Sequence, residues 1–144
     1  MRNKTLVLAI SILSVVGLAD SAFLTREHFA HTTLNCTVTK GCEKVLSSSY
    51  ATIFNIPVAL FGVIFYFFML ILTVHFLFNT INKKLLLLVA SLGVISSVYL
   101  LSIQAFVLKA WCQYCLLADL TALVIFTLSV IIYLNKEKIN VRKT

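Results

Sequence analysis

Long apolar runs, separated by short polar segments, dominate this sequence. Four of them cover approximately residues 5–24, 56–78, 85–108 and 112–134. A helix rises about 1.5 Å per residue and the hydrocarbon core of a bilayer is about 30 Å thick, so each run is long enough for a membrane-spanning helix. The runs are apolar on nearly every helical face, which is typical of helices that lie in lipid.

The polar segments predict how these helices are connected. Residues 79–84 and 109–111 are short spacers, so the second, third and fourth helices should be antiparallel neighbours. Only residues 25–55 are long enough to carry structure of their own, and we expect Asn55 to cap the second helix with Pro57 in its first turn. We predict a single domain over residues 1–144, an all-α integral membrane bundle of four transmembrane helices.

Composition and charge support the membrane assignment and orient the bundle. Hydrophobic residues make up 60% of the chain and charged residues 12%, which excludes an ordinary soluble domain. Eight of the twelve Lys and Arg residues lie near the termini or in the 79–84 spacer, so both termini should be cytoplasmic. The net charge of +7 is then a topology signal, and no nucleic-acid binding is expected. A cleaved signal peptide is less favoured than an anchor for residues 5–24, because Asp20 stands where cleavage would be expected.

The four cysteines fall into two pairs, Cys36 with Cys42 and Cys112 with Cys115. Two spans separate the pairs, so both lie on the same side of the membrane, and the charge distribution makes it the outer side, where disulfides persist. Cys112 starts the fourth helix, whose dipole favours a thiolate there, so Cys112 should be the exchanging sulfur and Cys115 the deeper one. Cys36 and Cys42 enclose a polar segment with a glycine, which we expect to be an exposed turn open to an attacking thiol.

Three other interpretations of the cysteines stay open at this point. A four-thiolate zinc site is possible by count, but the C-x5-C spacing and an oxidising compartment do not favour it, and no metal is expected. Two inert structural disulfides are disfavoured because they would close very short loops. A non-enzymatic, cysteine-rich membrane scaffold is the third, and it would tolerate replacement of its cysteines by serine.

The neighbours of the cysteines carry a family resemblance. They are the segment 42–51 with its triple serine, Ile56-Pro57, Phe61-Gly62 and the stretch 17–28, in a fixed order with Cys36 and the Cys112–Cys115 motif. This order and spacing resemble the vitamin K epoxide reductase (VKOR) family, specifically its bacterial disulfide-forming homologues. The resemblance covers about residues 17–119.

The resemblance implies a bundle around a quinone, ubiquinone or menaquinone, with the long outer loop 25–55 capping the active site. Cys36 and Cys42 would reoxidise a secreted or periplasmic thioredoxin-like partner of DsbA type. Cys42 would then exchange with Cys112, and Cys115 would pass electrons to the quinone. The implied protein is a quinone-dependent thiol oxidase, a monomer in the bacterial inner membrane with its active site facing outward. Since the sequence ends at Thr144 without the fused thioredoxin-like domain of many homologues, we expect the partner to be a separate protein.

Four further residues are candidates for the quinone site. Ser48 matches the serine that lies near the quinone in the family. Phe61 and Phe65 share a helical face with Phe68 and would wall a flat ring. Asp119 is an intramembrane carboxyl one turn below the CxxC motif, and such groups are functional by default.

Two polar residues and two rival activities complete the expectations. Asp20 lies near the predicted outer end of its helix, where it would cap the helix, dock the loop or handle protons, and His28 is expected at the surface. Reduction of vitamin K epoxide or of a quinone proper is the alternative activity, but the stretch 57–60 lacks the asparagine of epoxide-reducing members. The other quinone-coupled disulfide oxidase of bacteria has its two cysteine pairs in the reverse order.

Overall fold

The structure, a computed structural model, describes residues 2–30, 41–78 and 83–141, with side chains described for residues 4–30, 41–78 and 83–135. The elements in chain order are helix α1 (Arg2–Ala30), helix α2 (Cys42–Leu46), a 3-10 turn (Ser49–Ala51), strands β1 (Thr52–Ile53) and β2 (Ile56–Pro57), helix α3 (Val58–Phe78), helix α4 (Lys83–Ser102) with a π-helical turn after it (Ile103–Leu108), and helix α5 (Gln113–Val141).

Four helices in the described residues are long and apolar enough to cross a membrane. The candidate spans are Lys4–Ala30, Val58–Phe78, Lys83–Leu108 and Gln113–Asn135. Large apolar side chains, among them Ile12, Ile64, Leu88 and Leu120, are exposed around the outside of the bundle. Such a continuous apolar exterior suits lipid and would be a liability in water. The predicted all-α bundle with four spanning helices is confirmed.

The two halves of the bundle differ in how they are packed. Helix α1 packs against α3 and α5, and α4 packs against α5. In the half that contains the start of α1, apolar side chains fill the centre, and the largest of them are Ile10, Met69, Leu86, Ile125 and Ile132. The opposite half carries the CxxC motif and the loop between α1 and α3. The packed half therefore acts as a rigid base for the half where the chemistry is expected.

Helix α1 runs further than the apolar pattern predicted. It continues to Ala30, and the hydroxyl of Thr25 donates to the carbonyl of Ser21 at 2.8 Å within the extension. Asp20 therefore lies in the helix interior, where it is 9% exposed, and the expectation that it stands near the helix end was wrong. Residues 25–28 are polar and leave the apolar run, yet nothing in residues 25–30 breaks a helix.

The start of α3 also differs from the prediction. Asn55 does not cap the helix, and Pro57 does not lie in its first turn. Instead β1 and β2 pair antiparallel, with Thr52 opposite Pro57, and α3 begins directly afterwards. The hairpin turn consists of Phe54 and Asn55, both at positive φ (52° and 63°), as in the turns that suit two-residue hairpins. Asn adopts left-handed backbone more readily than most residues, and this use competed with capping.

Candidate redox site

A cavity of about 430 Å³ opens in the half of the bundle that carries the CxxC motif. This volume is within the roughly 300–1,000 Å³ typical of small-molecule sites. Side chains of all four spanning helices line it. Five of the residues predicted from the sequence lie on its wall, namely Ser48, Phe61, Phe65, Cys115 and Asp119.

The segment between α1 and α3 covers the outer end of this cavity. Val45 of α2, Tyr50 of the 3-10 turn and Ile53 of β1 all line it. The described part of the predicted loop therefore caps the site. Among the lining residues apolar groups dominate, so the cavity suits a ligand that is mostly apolar.

Cys112 and Cys115 are free thiols that touch each other. Cys112 immediately precedes α5 and is fully buried, at 0% exposure. Its Sγ accepts a hydrogen bond from the thiol of Cys115 at 2.8 Å and another from the backbone N–H of Cys115 at 3.4 Å. The bond from the Cys115 thiol lowers the pKa of Cys112, and backbone N–H groups at the helix start act in the same direction, against the effect of burial. Cys112 is therefore the member of the pair that is stabilised as a thiolate.

Cys42 is buried in the same cluster as Cys112. It is 1% exposed and packs in one apolar cluster with Val45, Ala110 and Cys112. Cys42 is disulfide-bonded, and its predicted partner, Cys36, lies outside the described residues. The expectation that this pair sits in an exposed turn was wrong for Cys42, because the apolar face of α2 packs onto the connection that leads into α5.

The CxxC motif therefore contacts two environments. Cys112 belongs to the cluster that holds Cys42, and Cys115 packs against that cluster and also lines the cavity. The sequence placed these three sulfurs on one side of the membrane, and the fold brings them into one region. Thiol–disulfide exchange requires such an approach of a thiolate to a disulfide sulfur.

The aromatic and serine candidates occupy different parts of the cavity wall. Phe61 and Phe65 line it, whereas Phe68 does not and is exposed. The Phe65 ring packs edge-on against Tyr66, with ring centroids 5.1 Å apart. The Ser48 hydroxyl donates to the carbonyl of Val45 at 2.7 Å. In this arrangement Ser48 presents an acceptor oxygen to the cavity, and it would have to rotate its hydroxyl to donate to a ligand.

Buried carboxyl groups lie behind Cys115. Asp119 lines the cavity, is 6% exposed and is hydrogen-bonded to the hydroxyl of Ser97. Asp20 lies nearby on α1, and both carboxyls interact electrostatically with Cys115 and Tyr66. One oxygen of each, Oδ2, is buried without a hydrogen-bond partner among the described residues. Asp119 thus lines the cavity, while one of its carboxyl oxygens stays buried without a partner among the described residues.

Three other residues of the site were not identified from the sequence. His28, expected at the surface, lines the cavity. Tyr66 donates its hydroxyl to the carbonyl of Ala118 at 2.6 Å and ties α3 to α5. Gln104 lines the cavity, and its Oε1 accepts the backbone N–H of Cys112 at 3.1 Å. A signal for Gln104 was present, since it is the only amide in the apolar run 85–108 and a buried amide is expected to be bonded.

Within the described part of the chain, no group of three or more His, Cys, Asp or Glu residues is placed to hold a metal ion.

Comparisons with known proteins identify the family of this chain. No curated protein matches the sequence significantly. A family model described as the vitamin K epoxide reductase family matches residues 8–130, which include both cysteine pairs. Members of this family are membrane oxidoreductases that act on thiols and quinones, in general with thioredoxin-like partners. Since the match covers most of its 144 residues, the chain belongs to the vitamin K epoxide reductase family.

Proposed function

We propose that this protein is a quinone-dependent thiol oxidase that generates disulfides de novo. The observation that carries the proposal is the position of the free thiol pair Cys112 and Cys115 between a buried disulfide cysteine, Cys42, and an apolar cavity of about 430 Å³. A quinone in that cavity would supply the oxidant, because its reduction takes up two electrons and two protons. The thiols of the chain would supply the electrons.

The residues present fit a quinone. Phe61 and Phe65 offer flat apolar surface. The hydroxyl of Ser48 would donate to a ring oxygen once it turns away from the carbonyl of Val45, and Asp119 would donate there only as the protonated acid. The stretch that would carry an asparagine in epoxide-reducing members lines the cavity through Pro57, Val58 and Ala59, none of which has a polar side chain. This apolar wall favours a respiratory quinone, ubiquinone or menaquinone, over vitamin K epoxide.

The first exchange brings electrons in from the partner. A dithiol of a thioredoxin-like protein reduces the disulfide between Cys36 and Cys42, so that the partner leaves with a new disulfide. The thiolate of Cys42 then attacks Cys112 in an oxidised Cys112–Cys115 pair. A Cys42–Cys112 bond forms and Cys115 is released as a thiolate. The burial of Cys42 and Cys112 in one cluster supports this choice of attacking and accepting sulfur.

The second exchange resolves the mixed disulfide. The thiolate of Cys36 attacks Cys42, the disulfide between them forms again, and Cys112 leaves as the thiolate that its capping contacts stabilise. Two electrons now reside on Cys112 and Cys115. The pair closes its disulfide as these electrons pass into the cavity, which Cys115 lines. Asp119, on the same wall, would pass a proton in the same direction.

The orientation and the partner follow from the charge pattern and the family. With eight of the twelve cations on the terminal side, the cysteine pairs face the outside of a bacterial inner membrane. A secreted or periplasmic protein of DsbA type is the substrate that this arrangement serves. The protein acts as a monomer in lipid.

The proposal is tested with purified protein, a reduced thioredoxin-like partner and a soluble ubiquinone analogue. Loss of quinone absorbance should depend on both the partner and the enzyme. Cys115→Ser should abolish it, while Ser91→Ala, at a half-buried serine of α4 outside the cavity, should retain it. Quinone that stays oxidised with the unaltered protein, or is reduced as fast by Cys115→Ser, would show the route to be wrong.

A further inference from the structure

Gln104 is a buried polar residue for which the proposed electron route has no role. It lies in the π-helical turn that ends the third span, and it is 3% exposed. A buried amide costs several kcal/mol unless its polar atoms are bonded. Its retention inside an apolar run therefore calls for a specific set of partners.

Those partners all belong to the connection that leads into α5. The backbone carbonyl of Gln104 accepts the N–H of Lys109 and the N–H of Ala110, the latter at 3.2 Å. Its side-chain Oε1 accepts the N–H of Cys112 at 3.1 Å. Lys109 has a left-handed backbone (φ 47°), which turns the chain sharply back towards α5. One residue thus fastens three of the four positions between the π-helical turn and α5.

We propose that Gln104 is a positioning residue that holds the backbone of Cys112 in the geometry in which its sulfur caps α5. In that geometry the Cys112 sulfur receives the N–H and the thiol of Cys115. Because the backbone is held by Gln104, the sulfur can change partner between Cys115 and Cys42 by side-chain rotation, without movement of the connection. Gln104 also lines the cavity, so it joins the CxxC motif to the proposed quinone site.

The significance of this role rests on the proposed function, but the contact itself is testable without quinone or partner. The variants are Gln104→Leu and Gln104→Met, which both remove the acceptor and add no charge, and which differ in side-chain shape. Ser102→Ala is the matched control, since Ser102 lies two residues earlier, is exposed and bonds only the carbonyl of Val98 in the contacts described. The other titratable groups that act on Cys112, Cys115 on α5 and Asp20 on α1, are the same in all variants, and Cys42 is disulfide-bonded.

The readout is the pH midpoint for alkylation of Cys112 by a small reagent, measured by peptide mass spectrometry. The midpoint is compared because absolute rates also reflect the burial of Cys112. Gln104→Leu should move the midpoint to higher pH and slow alkylation below it about tenfold, since the sulfur loses hydrogen-bond donors to its charged form. Gln104→Met should show the same displacement as Gln104→Leu, and Ser102→Ala should match the unaltered protein.

Two results would overturn the proposal. One is an unchanged midpoint in a folded Gln104→Leu protein, with folding verified by an unchanged helical circular dichroism spectrum. The other is a displacement in Gln104→Leu that Gln104→Met does not share, which would show that side-chain shape and not the acceptor oxygen is what matters. If Gln104→Leu does not fold, the comparison of Gln104→Met with the unaltered protein replaces it. A displaced midpoint together with absent quinone reduction in the unaltered protein would uphold the contact and refute the function.

Discussion

Removal of the Cys115 thiol should make Cys112 a weaker thiolate. In Cys115→Ala the sulfur of Cys112 loses the donor that lies 2.8 Å away and keeps the backbone N–H at 3.4 Å. A hydrogen bond to a charged group contributes about 1.5–3 kcal/mol, and each factor of ten corresponds to about 1.4 kcal/mol. At a pH below the midpoint, the thiolate population of Cys112 should therefore fall about tenfold to hundredfold.

The direction of the pH dependence follows from the lowered pKa of Cys112. With the Cys115 thiol in place, the thiolate is present above this lowered pKa and is lost as the pH falls through it. Without the thiol, the same loss should occur at higher pH. The assay is the initial rate of Cys112 alkylation between pH 5 and pH 10, resolved by peptide mapping in detergent and without quinone.

Cys115→Ser provides the internal comparison. The serine hydroxyl still donates a hydrogen bond, so its alkylation profile should lie between those of Cys115→Ala and the unaltered protein. A profile of Cys115→Ala that coincides with that of the unaltered protein would refute the reasoning. A shift of Cys115→Ala to lower pH would also refute it, because the Cys115 thiol would then raise the pKa of Cys112 instead of lowering it.

Three further changes probe other contacts of the site. Gly41→Ala would place a Cβ 2.7 Å from the backbone nitrogen of Trp111, so α2 must shift. Disulfide exchange between Cys42 and Cys112 should then slow about tenfold in stopped-flow mixing. An unaltered rate would show that exchange does not need the close packing of α2 on Trp111. Tyr66→Phe removes the 2.6 Å hydrogen bond to the carbonyl of Ala118 and should lower the free energy of unfolding by about 1 kcal/mol. Denaturant titration in detergent measures this loss, and equal stability of the two proteins would contradict the bond. A chelator should leave the rate of quinone reduction unchanged, whereas loss of activity with release of zinc would revive the metal site.

The spans and the contact between Cys112 and Cys115 were predictable because they depend on local pattern. Apolar length alone identifies the four spanning helices, since a segment in lipid must satisfy its own backbone hydrogen bonds. Phe61 and Phe65 are four residues apart and therefore share one helical face, and Asp119 shares a face with Cys115 for the same reason. Those two faces line the cavity. Ser48 was placed by the family resemblance, and the structure puts it on the same cavity.

The remaining features depend on contacts between segments that are distant in sequence. Asn55 suits both a helix cap and a left-handed turn, and only the pairing of β1 with β2 selects the turn. The burial of Cys42 depends on Ala110 and Cys112, which follow two spans later. The bond from Cys112 to Gln104 needs the π-helical turn and the left-handed Lys109, neither of which has a signature in the apolar run.

A single turnover of the fully reduced protein tests the proposed electron route most directly. The protein, with all four cysteines reduced, is mixed anaerobically with one equivalent of a soluble quinone, and samples are quenched with an alkylating reagent for peptide mapping. One quinol should appear for each Cys112–Cys115 disulfide, before any disulfide joins Cys36 and Cys42. Quinol that forms while Cys112 and Cys115 stay reduced, or a Cys36–Cys42 disulfide that forms first, would contradict the account.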